Sequence, residues 1–139
     1  MEIPDSVTSI GYCAFYSCTK LKNVTIPTDV TFIDEGAFFG CSSLISVTIP
    51  ANVTSIGGFA FKNCSSLTNV TIPDSVITIG YYAFYNCENL ASVTFTDTND
   101  WYYTSDSNYT DGTAVDVTDT AQNAIYLTIS YYDKYWYKK

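Results

Sequence analysis

The sequence contains no histidine, and all six of its basic residues are lysines, so arginine is missing as well. Without histidine neither a Ser-His-Asp triad nor a Cys-His pair can form, and the cysteine thiols lack the neighbouring base that would generate a reactive thiolate. No apolar run approaches the roughly 20 residues that a membrane-spanning helix requires. We therefore predict a chain without enzymatic activity, without a cofactor and without a membrane span.

Positive charge is scarce, because 6 lysines face 14 acidic residues and leave a formal net charge of −8. A surface with this bias repels the phosphate backbone, so we predict no nucleic-acid partner. Residues 1–4 have no positively charged start followed by a hydrophobic segment, and this pattern predicts no export signal within the chain. The chain begins in the middle of the repeat described next, and we expect it to be a piece of a longer protein.

A repeat of 23 residues organises most of the chain. Ten positions carry the same residue in all four copies, within the pattern LxxVTIPxxVTxIGxxAFxxCxxL. A period between about 20 and 29 residues, with Leu and Val or Ile at strand-like spacing, is typical of a leucine-rich-repeat solenoid. With 47% hydrophobic residues, the chain has enough apolar material for one continuous core.

Each repeat divides into three parts. The first, such as residues 23–26, alternates polar and apolar residues, which predicts a half-buried strand that ends at the following proline. The second, such as residues 7–10, is a shorter alternating run with two apolar residues directed inward. The third, such as residues 59–64, follows a glycine or aspartate that is expected to form a sharp corner, and its apolar spacing predicts a single helical turn.

Four of the five cysteines occupy the same position in successive repeats, and they are Cys18, Cys41, Cys64 and Cys87. Equivalent residues of adjacent coils stack about 4.8 Å apart with parallel side chains, which suits the ~90° torsion of a disulfide poorly. Zinc is the alternative, but one thiol per coil without histidine does not make a tetrahedral site. We predict one column of reduced, buried thiols, and a partly exposed free thiol at Cys13.

These repeats resemble the 23-residue leucine-rich repeats of the bacterial surface-antigen (BspA-like) type, over residues 3–95. The resemblance implies a right-handed solenoid with a parallel sheet on the concave face and short helical turns on the convex face. It also implies a secreted or cell-surface protein that binds other proteins or host surfaces, without enzymatic activity in the repeats. We accordingly assign residues 1–95 to four BspA-like repeats.

Residues 96–139 leave the repeat, since Thr96 stands where proline is due. Residues 96–118 are predicted to form strands and turns, and residues 119–127 a short helix with Thr118 or Asp119 as its N-cap. The aromatic end resembles the C-terminal segment that closes some proteins of this family. We predict an α+β cap that covers the last coil and buries Trp101, Trp136 and several tyrosines.

One loop in this segment, residues 106–112, alternates oxygen-bearing side chains before a glycine and resembles a calcium loop. It lacks the bidentate glutamate at the twelfth position of such a loop. The composition favours a solvated turn, and calcium binding is kept as the alternative.

The polar residues of the first strands give the best candidate contact surface, since solenoids offer their sheet to partners. We call this surface the strand face, and it comprises Asn23, Thr25, Ser46, Thr48, Asn69, Thr71, Ser92 and Thr94. We predict an adhesion or protein-binding module whose partner is a host or cell-surface protein, with a glycan as a further option. The alternative is a structural spacer without a ligand of its own.

The N-terminal half-repeat leaves the first complete strand, residues 23–26, without a preceding coil. Open parallel edges recruit further strands. We expect this end either to continue into more repeats in a parent protein or to pair end to end with a second copy, burying Val7, Ile10 and Phe15 at the contact.

Overall fold

The repeat builds two parallel stacks of strands in the computed structural model, which describes residues 1–139. The strands of the first sheet are β1 (Asn23–Thr25), β3 (Ser46–Thr48), β5 (Asn69–Ile72) and β7 (Ser92–Phe95). They are neighbours in the order β1-β3-β5-β7, and each pair is parallel. The register steps by one repeat, so that Asn23 lies opposite Ser46, Ser46 opposite Asn69, and Asn69 opposite Ser92.

The second part of each repeat forms a second sheet. Its repeat strands are β2 (Phe32–Ile33), β4 (Ser55–Ile56) and β6 (Thr78–Ile79), which are parallel. Three strands from the C-terminal segment join it, and they are β8 (Trp101–Thr104), β9 (Thr113–Ala114) and β10 (Tyr135–Lys138). The order is β2-β4-β6-β10-β8-β9. The parallel solenoid, which makes about three turns, confirms the predicted fold class.

Stacked apolar columns fill the space between the two sheets. The clearest column is formed by the rings of Phe15, Phe38, Phe61 and Phe84, whose neighbouring centroids lie 5.1, 5.3 and 5.3 Å apart with interplanar angles of 10° or less. The last three rings are fully buried, whereas Phe15 is only half-buried because no coil precedes it. Full burial of one such side chain contributes about 1.5–3 kcal/mol, so this column stabilises the stack of coils.

The third part of each repeat is a run of turns rather than the predicted helical turn. Alternate N–H groups, those of Phe59, Phe61 and Asn63, donate to carbonyls of the next coil at 2.8–3.0 Å, while the N–H groups between them donate to the carbonyl three residues earlier. Phe59 and Asn63 adopt φ of +58° and +62°. A helix was a wrong prediction because it needs every N–H for its own i−4 carbonyl, whereas here half of them bind the neighbouring coil.

The glycine that precedes this turn segment was expected to supply an unusual backbone angle at a sharp corner, and the structure shows another reason for it. Neither Gly57 nor Gly80 has a positive φ. A Cβ on Gly57 would lie 2.6 Å from the Glu35 nitrogen, and one on Gly80 would lie 2.3 Å from the Gly58 nitrogen. Glycine is therefore required by the close approach of the preceding coil's backbone and not by an unusual backbone angle.

Three of the four stacked cysteines are buried free thiols, as predicted, and the fourth is not. The Sγ atoms of Cys41, Cys64 and Cys87 donate to the backbone carbonyl of a phenylalanine in the preceding coil at 3.1–3.2 Å. Burial raises the pKa of Cys41 to about 11 and that of Cys87 to about 12. Cys18 is exposed, so its predicted burial was wrong, because the first coil has no predecessor to cover it. Cys13 is half-buried, in line with the predicted partly exposed thiol.

The C-terminal segment has mixed secondary structure and packs against the last coil. Helix α1 (Thr120–Ile125) begins at Asp119, whose carboxylate accepts from the N–H groups of Ala121 and Gln122, and it continues into a π-helical turn, Tyr126–Ser130. The Asn123 side chain donates to the carbonyls of Val93 and Val117 at 2.9 and 2.8 Å, which ties α1 to the last strand of the first sheet.

Strand β10 connects the C-terminal segment to the second sheet. It lies between β6 and β8 and is antiparallel to both. Trp136 pairs with Ile79 of the last coil and packs against Phe95, and both tryptophans are almost fully buried, with Trp101 2% and Trp136 1% exposed. The change from parallel to antiparallel pairing ends the repetition at this sheet.

At the N-terminal end, residues 1 and 2 cover part of the strand edge that was expected to be open. The Met1 ammonium group donates to the Asn23 carbonyl at 3.1 Å, and Glu2 forms a parallel bridge with Thr25. Ile10 is already buried at 3% exposure, so it cannot be newly buried by a second copy as expected.

Candidate binding surface

The strand face is a regular grid of exposed polar side chains. Along each strand, valine or isoleucine enters the core and the residues on either side of it point to solvent. Seven of the eight predicted residues are exposed, and Ser92 is half-exposed. Parallel pairing without a register shift places the asparagines and serines in one row and the threonines in a second row, with neighbours about 4.8 Å apart.

Hydrogen bonding across this grid is sparse. Ser46 Oγ donates to Asn23 Oδ1 at 3.0 Å, and Asn69 Nδ2 donates to Thr68 Oγ1 at 3.1 Å. None of the eight side chains carries a charge, so the surface offers hydrogen-bond donors and acceptors that are neutral. Such a surface suits direct hydrogen bonding to the polar groups of a partner.

The strand face is an open surface and not a cleft. Of its residues, only Thr25 borders a pocket, a shallow polar depression of about 510 Å³ that also contacts Glu2 and Asp5. An apolar groove of about 490 Å³ lies elsewhere, between the last coil and α1, where Leu90, Ala124 and Ile129 line it. The predicted residues are therefore brought together as a row but do not enclose a ligand.

A second surface was missed in the sequence. Aromatic rings line the turn segments of successive coils, and we call them the aromatic ledge: Tyr12, Tyr16, Phe39, Phe59, Tyr82 and Tyr85. Tyr16 stacks on Phe39 at 5.0 Å, and Phe59 stacks on Tyr82 at 5.4 Å. Tyr12 is 70% and Tyr16 55% exposed, so the ledge presents apolar rings to solvent at its N-terminal end.

Charged side chains accompany these rings. The Lys62 ammonium group lies 5.1–5.5 Å from the centroids of four of them, which is the geometry of cation–π attraction. At the exposed end, a hydrogen bond with Cys13 and the nearby charge of Glu35 raise the pKa of Tyr12. The ledge could have been found by following the repeat step at positions that vary, since most members of these columns are aromatic.

Comparison with known proteins identifies the same repeat. The sequence model of the BspA type leucine-rich repeat region, which comprises 6 copies, matches residues 1–107. The chain belongs to this BspA-type leucine-rich-repeat family. No curated protein matches the chain.

Solved structures of leucine-rich-repeat proteins share the BspA-type fold. A protein from Bacteroides ovatus is 42% identical with a TM-score of 0.65, covering 67% of this chain and 24% of its own. A protein from Bacteroides capillosus is 30% identical with a TM-score of 0.60, covering 69% of this chain and 75% of its own. A leucine-rich cell surface protein from Faecalibacterium prausnitzii is 32% identical with a TM-score of 0.51, covering 68% and 35%. The BspA-type chain thus spans about a quarter of the B. ovatus protein.

The loop that resembles a calcium site is held as a turn in this BspA-type chain. The Asp106 carboxylate accepts from the Asn108 N–H at 2.9 Å and from the Thr110 hydroxyl, and these hydrogen bonds, the one from Thr110 first, lower the pKa of Asp106. The structure contains no group of three or more His, Cys, Asp or Glu side chains close enough to share a metal ion. No helix has the length and apolar character needed to span a bilayer.

Proposed function

We propose that this chain is a non-enzymatic protein-binding segment of a secreted or cell-surface adhesin, and that its strand face contacts a host or cell-surface protein. Leucine-rich repeats of this family are generally protein-interaction modules and are typically found on surface or secreted proteins. One solved relative is itself described as a cell surface protein.

The single observation that carries the proposal is the regularity of the strand face. Four parallel strands present eight small, uncharged polar side chains in register, and five of them make no internal side-chain hydrogen bond, the exceptions being Asn23, Ser46 and Asn69. Small side chains lose little conformational entropy when they become ordered at an interface. A partner can thus contact the whole row at low entropic cost.

The test is a pull-down of host matrix proteins and glycans with the intact chain and with a Thr48→Arg/Thr71→Arg variant. Two large charged side chains in the centre of the row should abolish capture by steric and desolvation effects. The matched control is Thr8→Arg/Thr31→Arg, which changes two threonines that are also exposed but lie outside the strand face. Capture that survives the first variant, or is lost equally in both, contradicts the assignment of the face.

Two further roles belong to the same proposal. We assign residues 96–139 to a cap that protects the core at the last coil, and residues 1–95 to the binding repeats.

Self-association at the N-terminal end stays a prediction, now limited to Val7 and Phe15 because Ile10 is already covered. Light scattering over a concentration series measures it directly, and a wild-type chain that captures no partner would favour the spacer function instead.

A further inference from the structure

Gly36 interrupts one column of the aromatic ledge. Its equivalents in the other coils are Cys13, Phe59 and Tyr82, and the last two rings stack at 5.4 Å with an interplanar angle of 15°. Gly36 has φ +65°, and a Cβ there would lie 2.8 Å from Cys13 Sγ. A pocket of about 200 Å³ lies beside Gly36 and Cys13 in the ledge.

The lining of this pocket combines rings with one carboxylate. It is formed by Tyr12, Cys13, Tyr16, Glu35, Gly36, Phe39 and Phe59. Glu35 is the only charged residue among them, and no cationic side chain lines the space. With a volume below the 300–1,000 Å³ typical of drug-sized sites, the pocket suits a single head group.

The next coil holds an ammonium group in the same type of environment. Lys62 Nζ lies 5.5 Å from the Phe39 centroid and 5.1 Å from the Phe59 centroid, and these two rings also line the pocket. The two other rings around Lys62 belong to Tyr82 and Tyr85. The ledge thus already holds a cation among four rings, and the pocket adds two rings, those of Tyr12 and Tyr16, that have no ammonium group over them.

Charge and hydration select the kind of cation. The chain carries a net charge of −8, which attracts cations to its surface. A primary ammonium group needs three hydrogen-bond acceptors when it loses its water, and the Glu35 carboxylate is the one strong acceptor in the lining. A quaternary ammonium group needs none and gains from the ring faces.

We propose that the Gly36 pocket binds a trimethylammonium group, with Tyr12, Tyr16, Phe39 and Phe59 contacting the methyl groups and Glu35 supplying the opposite charge. The group can belong to a free small molecule or to a phosphocholine lipid head group. This site is separate from the strand face, so it does not depend on the proposed protein partner.

The experiment is a titration of the intact chain with choline, observed through the choline methyl signal in NMR, beside its neutral isostere 3,3-dimethylbutan-1-ol. We expect saturable choline binding and at least ~10-fold weaker binding of the isostere, because only the cation gains from the ring faces and the carboxylate. Glu35→Gln and Tyr16→Leu should each weaken choline binding by about 3- to 10-fold. Tyr16 is 55% exposed, so its substitution does not remove core packing.

Glu88→Gln is the matched control, since it removes the same charge from an exposed position outside the pocket. Equal binding of choline and its isostere, no saturable binding, or choline binding that neither pocket variant weakens would each overturn the proposal. Sedimentation with phosphatidylcholine vesicles, but not with phosphatidylglycerol vesicles, would assign the lipid head group as the source. Choline binding without sedimentation would assign a free ligand.

Discussion

Trp136→Ala should destabilise the whole solenoid and not only the C-terminal segment. Trp136 is 1% exposed, its ring lies 6.2 Å from that of Phe95, and its backbone pairs with Ile79 of the last coil. Truncation of a buried tryptophan to alanine costs about 3–5 kcal/mol. Since a domain of this kind has a total stability of about 5–15 kcal/mol, this single change removes a large part of it.

Urea unfolding followed by two probes measures the effect. Both tryptophans lie in the C-terminal segment, so after the substitution the fluorescence of Trp101 reports on the cap. The buried thiols report on the repeats, because a thiol reagent reaches them only when the coils open. With an m value of about 1–3 kcal/mol per M urea, both midpoints should fall together by about 1 M or more.

The refuting result is a separation of the two probes. If residues 96–139 were an independent domain, Trp136→Ala would shift the fluorescence transition and leave the thiol transition where it is in the wild type. Tyr12→Ala serves as the control, since this ring is 70% exposed and its loss should change stability by no more than about 0.5 kcal/mol.

Three further predictions concern packing, charge and thiols. Gly80→Ala should cost about 1–3 kcal/mol or more through overpacking, measured by urea unfolding, whereas Gly11→Ala at the equivalent position should not, since nothing lies within 4 Å of its added Cβ. A hydrogen bond from Lys138 at 2.6 Å lowers the pKa of Asp97 from 3.8 to about 2. The stabilising effect of this hydrogen bond should therefore be present above pH 3.8 and be lost as the pH falls towards 2. The melting temperatures of the wild type and of Asp97→Asn should converge at low pH. Native protein should show two thiols that react quickly with a thiol reagent, and three or more would contradict this. The three buried thiols have a pKa raised above 9.0 in the folded protein, so the thiols of the unfolded chain ionise first and thermal stability should fall as the pH rises from about 9. A melting temperature that does not change at alkaline pH would contradict this.

The parts of the fold that repeat could be predicted from the sequence. An inward valine or an outward threonine is fixed by strand alternation, and a step of 23 residues extends that local rule to every coil. The same logic located the strand face and three of the four thiols that were predicted to be buried. It failed for Cys18 because burial requires a neighbour on both sides, and position in the stack is not a local property.

The other differences also come from contacts between coils. Apolar spacing in residues 59–64 is compatible with a helix, but the N–H groups of Phe59 and Phe61 find better-placed acceptors in the next coil. The aromatic ledge was missed because the repeat was defined by the positions that are identical in all coils. The residues of the ledge vary from coil to coil, and one of its columns contains Lys62 among aromatic residues. The pairing of β10 with β6 joins segments far apart in sequence, which no periodic pattern records.

The alternation of N–H groups along residues 59–64 also determines how such a chain can change its length. Insertion or deletion of one residue would exchange the groups that bind the next coil with those that close local turns, and every hydrogen bond of that segment would be misdirected. Gain or loss of a whole repeat leaves each ladder intact, because every new coil presents the same donors and acceptors to its neighbours. We therefore expect genes of this type to vary by in-frame duplication of complete repeats, with one cap able to close arrays of different length.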